Sequence, residues 1–380
     1  MNYEFLSRYR SALMGLAMIF VMFFHVPMAK GELMYGVVRL GNIGVDMFLF
    51  LSGIGLWFSW TKSQPRKTLV PSKIASFYRK RVLRIYPAWL IIACLYYIPD
   101  FFGTDLFGQF HYATGADWHS TKSPDVFHLV ANILVNWSFW RIDDGAFWFV
   151  PSILAMYLFA PFYMELIRRH PVYRWMPVVA MVWATMVQYM PPIHDAVGHI
   201  EIFWSRIPIF LIGINCGELV KQKREIEPSA IWLLLITFGL SLWMCIEFEN
   251  HWRGHFPLFL ERMVYIPLSI SCMMLVCKAL SWSEERGARS ENQSSAPTGK
   301  AKRNEAQDGN LTPRSPLPAP RGFLSFIGGI SLEIYLVHAQ FVLRYLTPLQ
   351  LGYLPTFLLL VAISLPLAWL LKRLTECILP

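Results

Sequence analysis

Charge is scarce in this chain. Of its 380 residues only 16% are charged while 55% are hydrophobic, against roughly 25% charged in a soluble globular domain. That shortage excludes a soluble enzyme and a disordered protein. No CxxC pair or Cys/His ligand spacing occurs among the six cysteines, so neither disulfides nor a zinc or other metal site is expected. There is no Walker A loop, no GxSxG, no HExxH and no GxGxxG. An ATP-driven pump, a serine hydrolase and a dinucleotide enzyme are therefore disfavoured. No internal repeat is visible, which argues against an inverted-repeat transporter.

What the chain does have is long apolar runs. A membrane-spanning helix needs about 20 mostly apolar residues. With that window, ten candidate spans lie near 10–29, 43–61, 83–102, 147–167, 175–191, 201–220, 230–247, 258–280, 326–346 and 355–372. The apolar segment 126–140 reads as interfacial or re-entrant, because an eleventh span would spoil the charge pattern. The expectation is an all-α polytopic membrane protein with about ten transmembrane helices and both termini cytoplasmic. With that orientation 25 of the 34 basic residues fall on the inner side and five on the outer, as the positive-inside rule requires. The net charge of +9 thus reflects membrane orientation, and no nucleic-acid partner is expected. Residues 283–322 carry 12 charges and five prolines with no aromatic, too little apolar surface to offset ordering. They divide the transmembrane core into 1–282 (spans 1–8) and 323–380 (spans 9–10), joined by a disordered cytoplasmic loop.

Ionisable residues at membrane depth are costly and mark function. His25 lies 15 residues beyond Arg10, about 22 Å up a helix, in the outer third of the first span. Asp46 opens the descending second span at a similar depth. A histidine beside a carboxylate can serve as general base; the plainer alternative is a neutral ring bonded to backbone, with Asp46 capping its helix. Arg79, Lys80, Arg81 and Arg84 form a basic edge where the third span leaves the cytoplasm. Such an edge suits the phosphates of a soluble cofactor, or serves as an ordinary anchor to anionic lipid. Glu333 and His338 stand five apart on the ninth span and must each point into the bundle. Outer segments hold aromatics beside polar and acidic groups, such as Trp118, His119, Trp140, Asp143 and Asp144. That mixture suits a sugar surface or an interfacial aromatic belt.

Six stretches carry a resemblance. RYRSALMGLAMIFVMFFH ends at His25, GNIGVDMFLFLSGIGLWF surrounds Asp46, and SFYRKRVLRIYPAW holds the basic edge. AFWFVPSILAMYLFAPF, IPIFLIGINCGEL and GGISLEIYLVH follow in order. Together they resemble the acyltransferase-3 family of integral membrane acyltransferases, which includes O-acetylases of bacterial cell-surface glycans. Many members carry an arginine where this chain has Met14, with Arg10 one turn earlier the nearest substitute, and a glutamate where it has Ile153.

The resemblance implies transfer of an acyl group, usually acetyl, from cytoplasmic acetyl-CoA or another acyl-CoA to a glycan or lipid-linked saccharide hydroxyl outside, in a bacterial cytoplasmic membrane. It implies His25 as base or acyl acceptor and Asp46 as its partner. Arg10, Lys80, Arg81 and Arg84 become donor contacts, and Tyr86, Trp148, Glu333 and His338 line the substrate region. Two other readings stand beside it: a proton-coupled transporter or flippase relaying protons through His25, Asp46 and Glu333, and a catalytically silent scaffold.

Overall fold

The computed structural model describes residues 2–63, 70–107, 123–142, 145–252, 259–294 and 319–378, and the described residues hold no strand. Side chains of Ser63, Ile142, Trp252, 259–261, 287–294 and 319–321 are likewise not described. His111, Asp117, Trp118, His119, Asp143 and Asp144 lie outside the described residues. In hydrocarbon every backbone amide must be satisfied within its own segment, and the apolar runs accordingly fold as helices.

Among the described residues seven helices are long and apolar enough to cross a membrane, eight if one bent pair counts as a single span. The helices that build the site are α1 (Arg10–His25), α2 (Ile43–Ser63) and α3 (Pro71–Phe101). Next come α4 (Val126–Val135), α5 (Trp137–Ile142), α6 (Phe149–Arg169) and α7 (Met176–Tyr189). They are followed by α8 (Glu201–Lys221), α9 (Ala230–Glu247) and α10 (Phe259–Ser294). Last are α11 (Ala319–Gly329), α12 (Ser331–Val337) and α13 (Tyr353–Ile378). All ten stretches read from hydropathy fall on helices, although α1 and α7 are short.

Three expectations are corrected. The stretch 326–346 is not one straight helix. It breaks between Gly329 and Ser331 with a bend of 64°, then continues through α12 into a π-helical turn at His338–Leu343. The glycine pair supplies the break, and Ser331 Oγ donates to the Gly328 carbonyl freed there, at 3.0 Å. The linker also begins later than composition suggested. Helix α10 runs to Ser294 because its polar end has partners: Glu284 pairs with Arg8 at 2.8 Å and accepts from Tyr9 at 2.7 Å, and Arg286 stacks on Trp282. Residues 295–318 lie outside the described residues. The third concerns Asp46, whose ion-pair partner is Arg206.

Helix α2 is the hub of the bundle. It packs most extensively on α8 and also on α1. The α2–α8 crossing depends on a reciprocal pair of glycines. A Cβ on Gly53 would stand 2.6 Å from the Phe210 carbonyl oxygen, and one on Gly213 would collide with that of Phe50. Small residues at such crossings let backbones approach where lipid supplies no hydrophobic drive.

Segment 123–142 forms two short helices rather than a span. Asn136 takes the left-handed conformation between α4 and α5 (φ 51°). It accepts from Tyr97 at 2.7 Å and donates to the Ala146 carbonyl at 2.9 Å, while Asn132 holds Ser123 and Ser138. This buried polar knot fixes the start of α6. Phe147, just ahead of α6, is also held at positive φ (57°) and packs on Trp89 and Tyr96.

Candidate active site

A cavity of about 440 Å³ runs between α1, α2, α3, α6 and the α11–α12 break. One end is cationic: Arg10, Lys80, Arg81 and Arg84 all line it. Arg10 comes from the start of α1 and the others from one face of α3. Their charges repel, Arg10 acting on both Arg81 and Arg84. Among the described residues none of the four has a carboxylate at ion-pair distance. Four mutually repelling, unpaired cations around a void favour an anion there. Gly55 on α2 makes room for one of them, since a Cβ there would stand 3.1 Å from the Arg10 guanidinium. Met14 lines the same cavity one turn further along, and so does Ile153 on α6.

The other end is aromatic, and neither His25 nor His338 is among its lining residues. Phe48, Phe149 and Tyr335 line it. The Phe149 ring sits 6.3 Å from Phe48 and 5.4 Å from Tyr335, and its backbone N–H donates to the Tyr335 hydroxyl at 3.1 Å. Immediately beyond lie His25 and His338, ring centroids 4.8 Å apart and nearly perpendicular. His25 Nδ1 lies 2.7 Å from the Val21 carbonyl. His338 Nδ1 lies 2.9 and 3.1 Å from the carbonyls of Tyr335 and Ile334. A carbonyl only accepts, so both rings are assigned their proton on Nδ1. His338 Nε2 then presents a lone pair toward His25 Nδ1–H, at 3.4 Å. His25 Nε2 is left as a lone pair without a partner among the described residues. Val21 and Tyr335, whose carbonyls orient the two rings, are themselves cavity walls. His25 is partly exposed and His338 is buried.

Asp46 does not orient His25. It is fully buried and ion-paired with Arg206 on α8, which also donates to Asn42 at 2.8 Å. The physical reason is charge. A buried carboxylate needs a full cation to offset desolvation, and Arg206 provides one where a neutral imidazole does not, although Asp46 Oδ2 and Arg206 Nε keep no hydrogen-bond partner among the described residues. Arg262 extends the cluster, donating to Ser205 at 2.8 Å and lying 3.4 Å from Glu201.

The remaining residues named from sequence fall in different places. Glu333 is buried on α12, with one carboxylate oxygen unpartnered and the charges of Arg84 and Lys372 acting on it. Trp148 caps the start of α6, outside the cavity lining. Tyr86 faces a separate groove and donates to the Leu134 carbonyl at 3.0 Å. Sequence reasoning missed Tyr335, Phe149 and Tyr157. All three lie within motifs already singled out, and their only signal was an aromatic side chain beside a functional one.

The architecture is that of a multi-pass helical membrane protein with a cavity between a cationic end and a histidine pair. The family described as the acyltransferase domain matches residues 12–373, nearly the whole chain, and the chain belongs to this acyltransferase-3 family. It is a membrane acyltransferase. Nothing among the curated proteins or the solved structures matches it.

Proposed function

We propose that the protein moves an acyl group, most simply acetyl, from acyl-CoA on the cytoplasmic side to a hydroxyl of a cell-surface glycan or lipid-linked saccharide outside. This reading takes the spans as ten, counting the seven long helices, the bent pair, α1 and α7. It sets both termini in the cytoplasm of a bacterium's inner membrane, where the basic loops favour them. The observation that carries it is the cavity itself, lined by cations at one end, with the His25–His338 pair held behind its other end by the carbonyls of Val21 and Tyr335.

CoA is an anionic donor whose phosphates suit Arg10, Lys80, Arg81 and Arg84. Its pantetheine arm is neutral and suits the apolar middle of the cavity, where it lies against Met14, Leu56 and Ile153. The thioester then comes to the aromatic end. The acceptor hydroxyl arrives from the other side, where His25 is partly exposed. His25 Nε2 takes the hydroxyl proton as the oxygen attacks the thioester carbonyl carbon; the C–O bond forms, the C–S bond breaks, and the thiolate leaves to be protonated as free CoA. His338 acts as a positioning residue. Its Nε2 lone pair faces the Nδ1–H of His25, so the positive charge that develops on the His25 ring meets an acceptor. The Val21 carbonyl holds the same proton and keeps Nε2 free. Asp46 and Arg206 hold α2 to α8 and leave the proton transfer to the histidines.

The test is transfer of label from radiolabelled acetyl-CoA to an acceptor glycan in inverted membrane vesicles. The expected result is transfer that requires donor on the cytoplasmic face and is lost in His25→Ala at normal expression. Full transfer in His25→Ala would remove the imidazole from the mechanism. pH-coupled sugar flux without any acyl donor would replace the reading with a carrier.

A further inference from the structure

A second cavity, of about 560 Å³, lies on the far side of the α3–α6 seam. The two cavities share two wall residues, Arg81 and Tyr157. Their chemistry differs. The second is almost wholly apolar, and Arg81 is the only charged residue among those lining it. Three of its polar side chains are spent on backbone. Tyr78 donates to the Leu158 carbonyl at 2.8 Å, Tyr86 to that of Leu134 at 3.0 Å, and Trp89 to that of Ile133 at 2.9 Å. Few polar groups, among them those of Trp140 and Tyr157, remain for a sugar or a peptide to bond.

The groove opens sideways. Val82, Leu134, Val135 and Leu158 border it and are all exposed on the outside of the bundle, as apolar side chains facing lipid are. Along α3 it reaches from Tyr78 to Trp89, eleven residues or about 16 Å of helix. That is close to half of the roughly 30 Å hydrocarbon core, the depth of one leaflet. Arg81 stands near one end, with its guanidinium 4.2 Å over the Phe77 ring.

We infer that this groove is a binding site for an anionic phospholipid of the leaflet next to the basic edge, one acyl chain lying between α3 and α6 and its phosphate at Arg81. An apolar slot one leaflet deep with a single cation at its mouth matches that ligand in length, polarity and charge. Because Arg81 also lines the first cavity, a bound lipid and a bound acyl-CoA compete for one guanidinium. The anionic lipid therefore weakens donor binding, and the donor weakens the lipid by the same factor. The lipid site stands independently of the proposed reaction; only the competition rests on it.

The direct test is native mass spectrometry of the full chain released from bilayers of equal phosphatidylglycerol and phosphatidylcholine. The wild-type protein should retain phosphatidylglycerol about fivefold over phosphatidylcholine, the worth of one basic contact to an anionic headgroup. Ala155→Trp fills the slot from α6 and should abolish the preference; Val82→Trp, at the exposed border, guards against misfolding of the first variant. Arg81→Gln should keep lipid binding and lose the headgroup preference. The inference is overturned if both folded tryptophan variants retain phosphatidylglycerol as wild type does, or if wild type shows no preference. It is also overturned if the tryptophans displace a long-chain acyl-CoA and no phospholipid, because the slot would then belong to the donor. CoA binding in nanodiscs separates the two claims. Absence of CoA binding in any lipid refutes the donor reading and leaves the lipid result standing. CoA binding with equal affinity with and without phosphatidylglycerol refutes the competition.

Discussion

Two sets of arginines stand in this bundle, one buried and one partly exposed, and they differ in what faces them. Arg206 has a carboxylate, Asp46, and an amide, Asn42, and is itself buried. Arg10, Arg81 and Arg84 have neither; they face a cavity and one another. The first arrangement is charge-paired without a ligand and joins two helices. The second is complete only when an anion enters. Burial of charge alone therefore does not mark the functional site here. The mark is a set of cations that line a void with no carboxylate at ion-pair distance among the described residues.

The largest expected effect concerns the group at the far end of that void. His25→Ala should lower turnover by about 10²–10⁴-fold, the usual worth of a general base, with little change in donor KM. If KM moves and turnover does not, the imidazole belongs to binding.

The next sharpens the paired side. Asp46→Ala leaves Arg206 buried and uncompensated and should cost about 3–5 kcal/mol of stability, read as a fall in the thermal midpoint of the detergent-solubilised protein. The double variant Asp46→Leu with Arg206→Met should regain most of that stability. A double variant that folds but transfers nothing would give the pair a place in the chemistry and break the comparison.

On the unpaired side, Arg84→Ala should weaken donor binding by about 1.5–3 kcal/mol, one charge-assisted hydrogen bond, with the thermal midpoint held or raised because a repulsion is relieved. Donor titration of both variants separates affinity from folding. The smallest effect belongs to Gly55→Ala. The added methyl presses on the Arg10 guanidinium and should raise donor KM by a few fold with turnover unchanged.

Much of this was legible in the sequence, and what was not has a physical reason. Apolar runs placed the helices because hydrocarbon leaves the backbone no alternative. The charge run Arg79–Arg84 contains three residues that line the cavity, Lys80, Arg81 and Arg84, while His25 lies behind its other end. The partner of Asp46 was hidden because Arg206 lies 160 residues away and adjacency of spans 1 and 2 pointed to His25 instead. The pairing of His25 with His338 was hidden by the break after Gly329 and the π-helical turn, which re-phase the helix so that counting at 3.6 residues per turn fails. The lateral groove was invisible because it is made of residues that look like ordinary lipid-facing apolar positions until their backbone partners are known.

The central claim is that one cavity joins the cations to the histidine pair and holds an acyl-CoA along its length. Cryo-electron microscopy of the protein in nanodiscs with CoA tests it most directly. The account predicts density with its phosphates against Arg10, Arg81 and Arg84 and its thiol end beneath Phe149 and Tyr335, next to His25. CoA bound elsewhere, or bound with its thiol pointing away from the histidines, would contradict it.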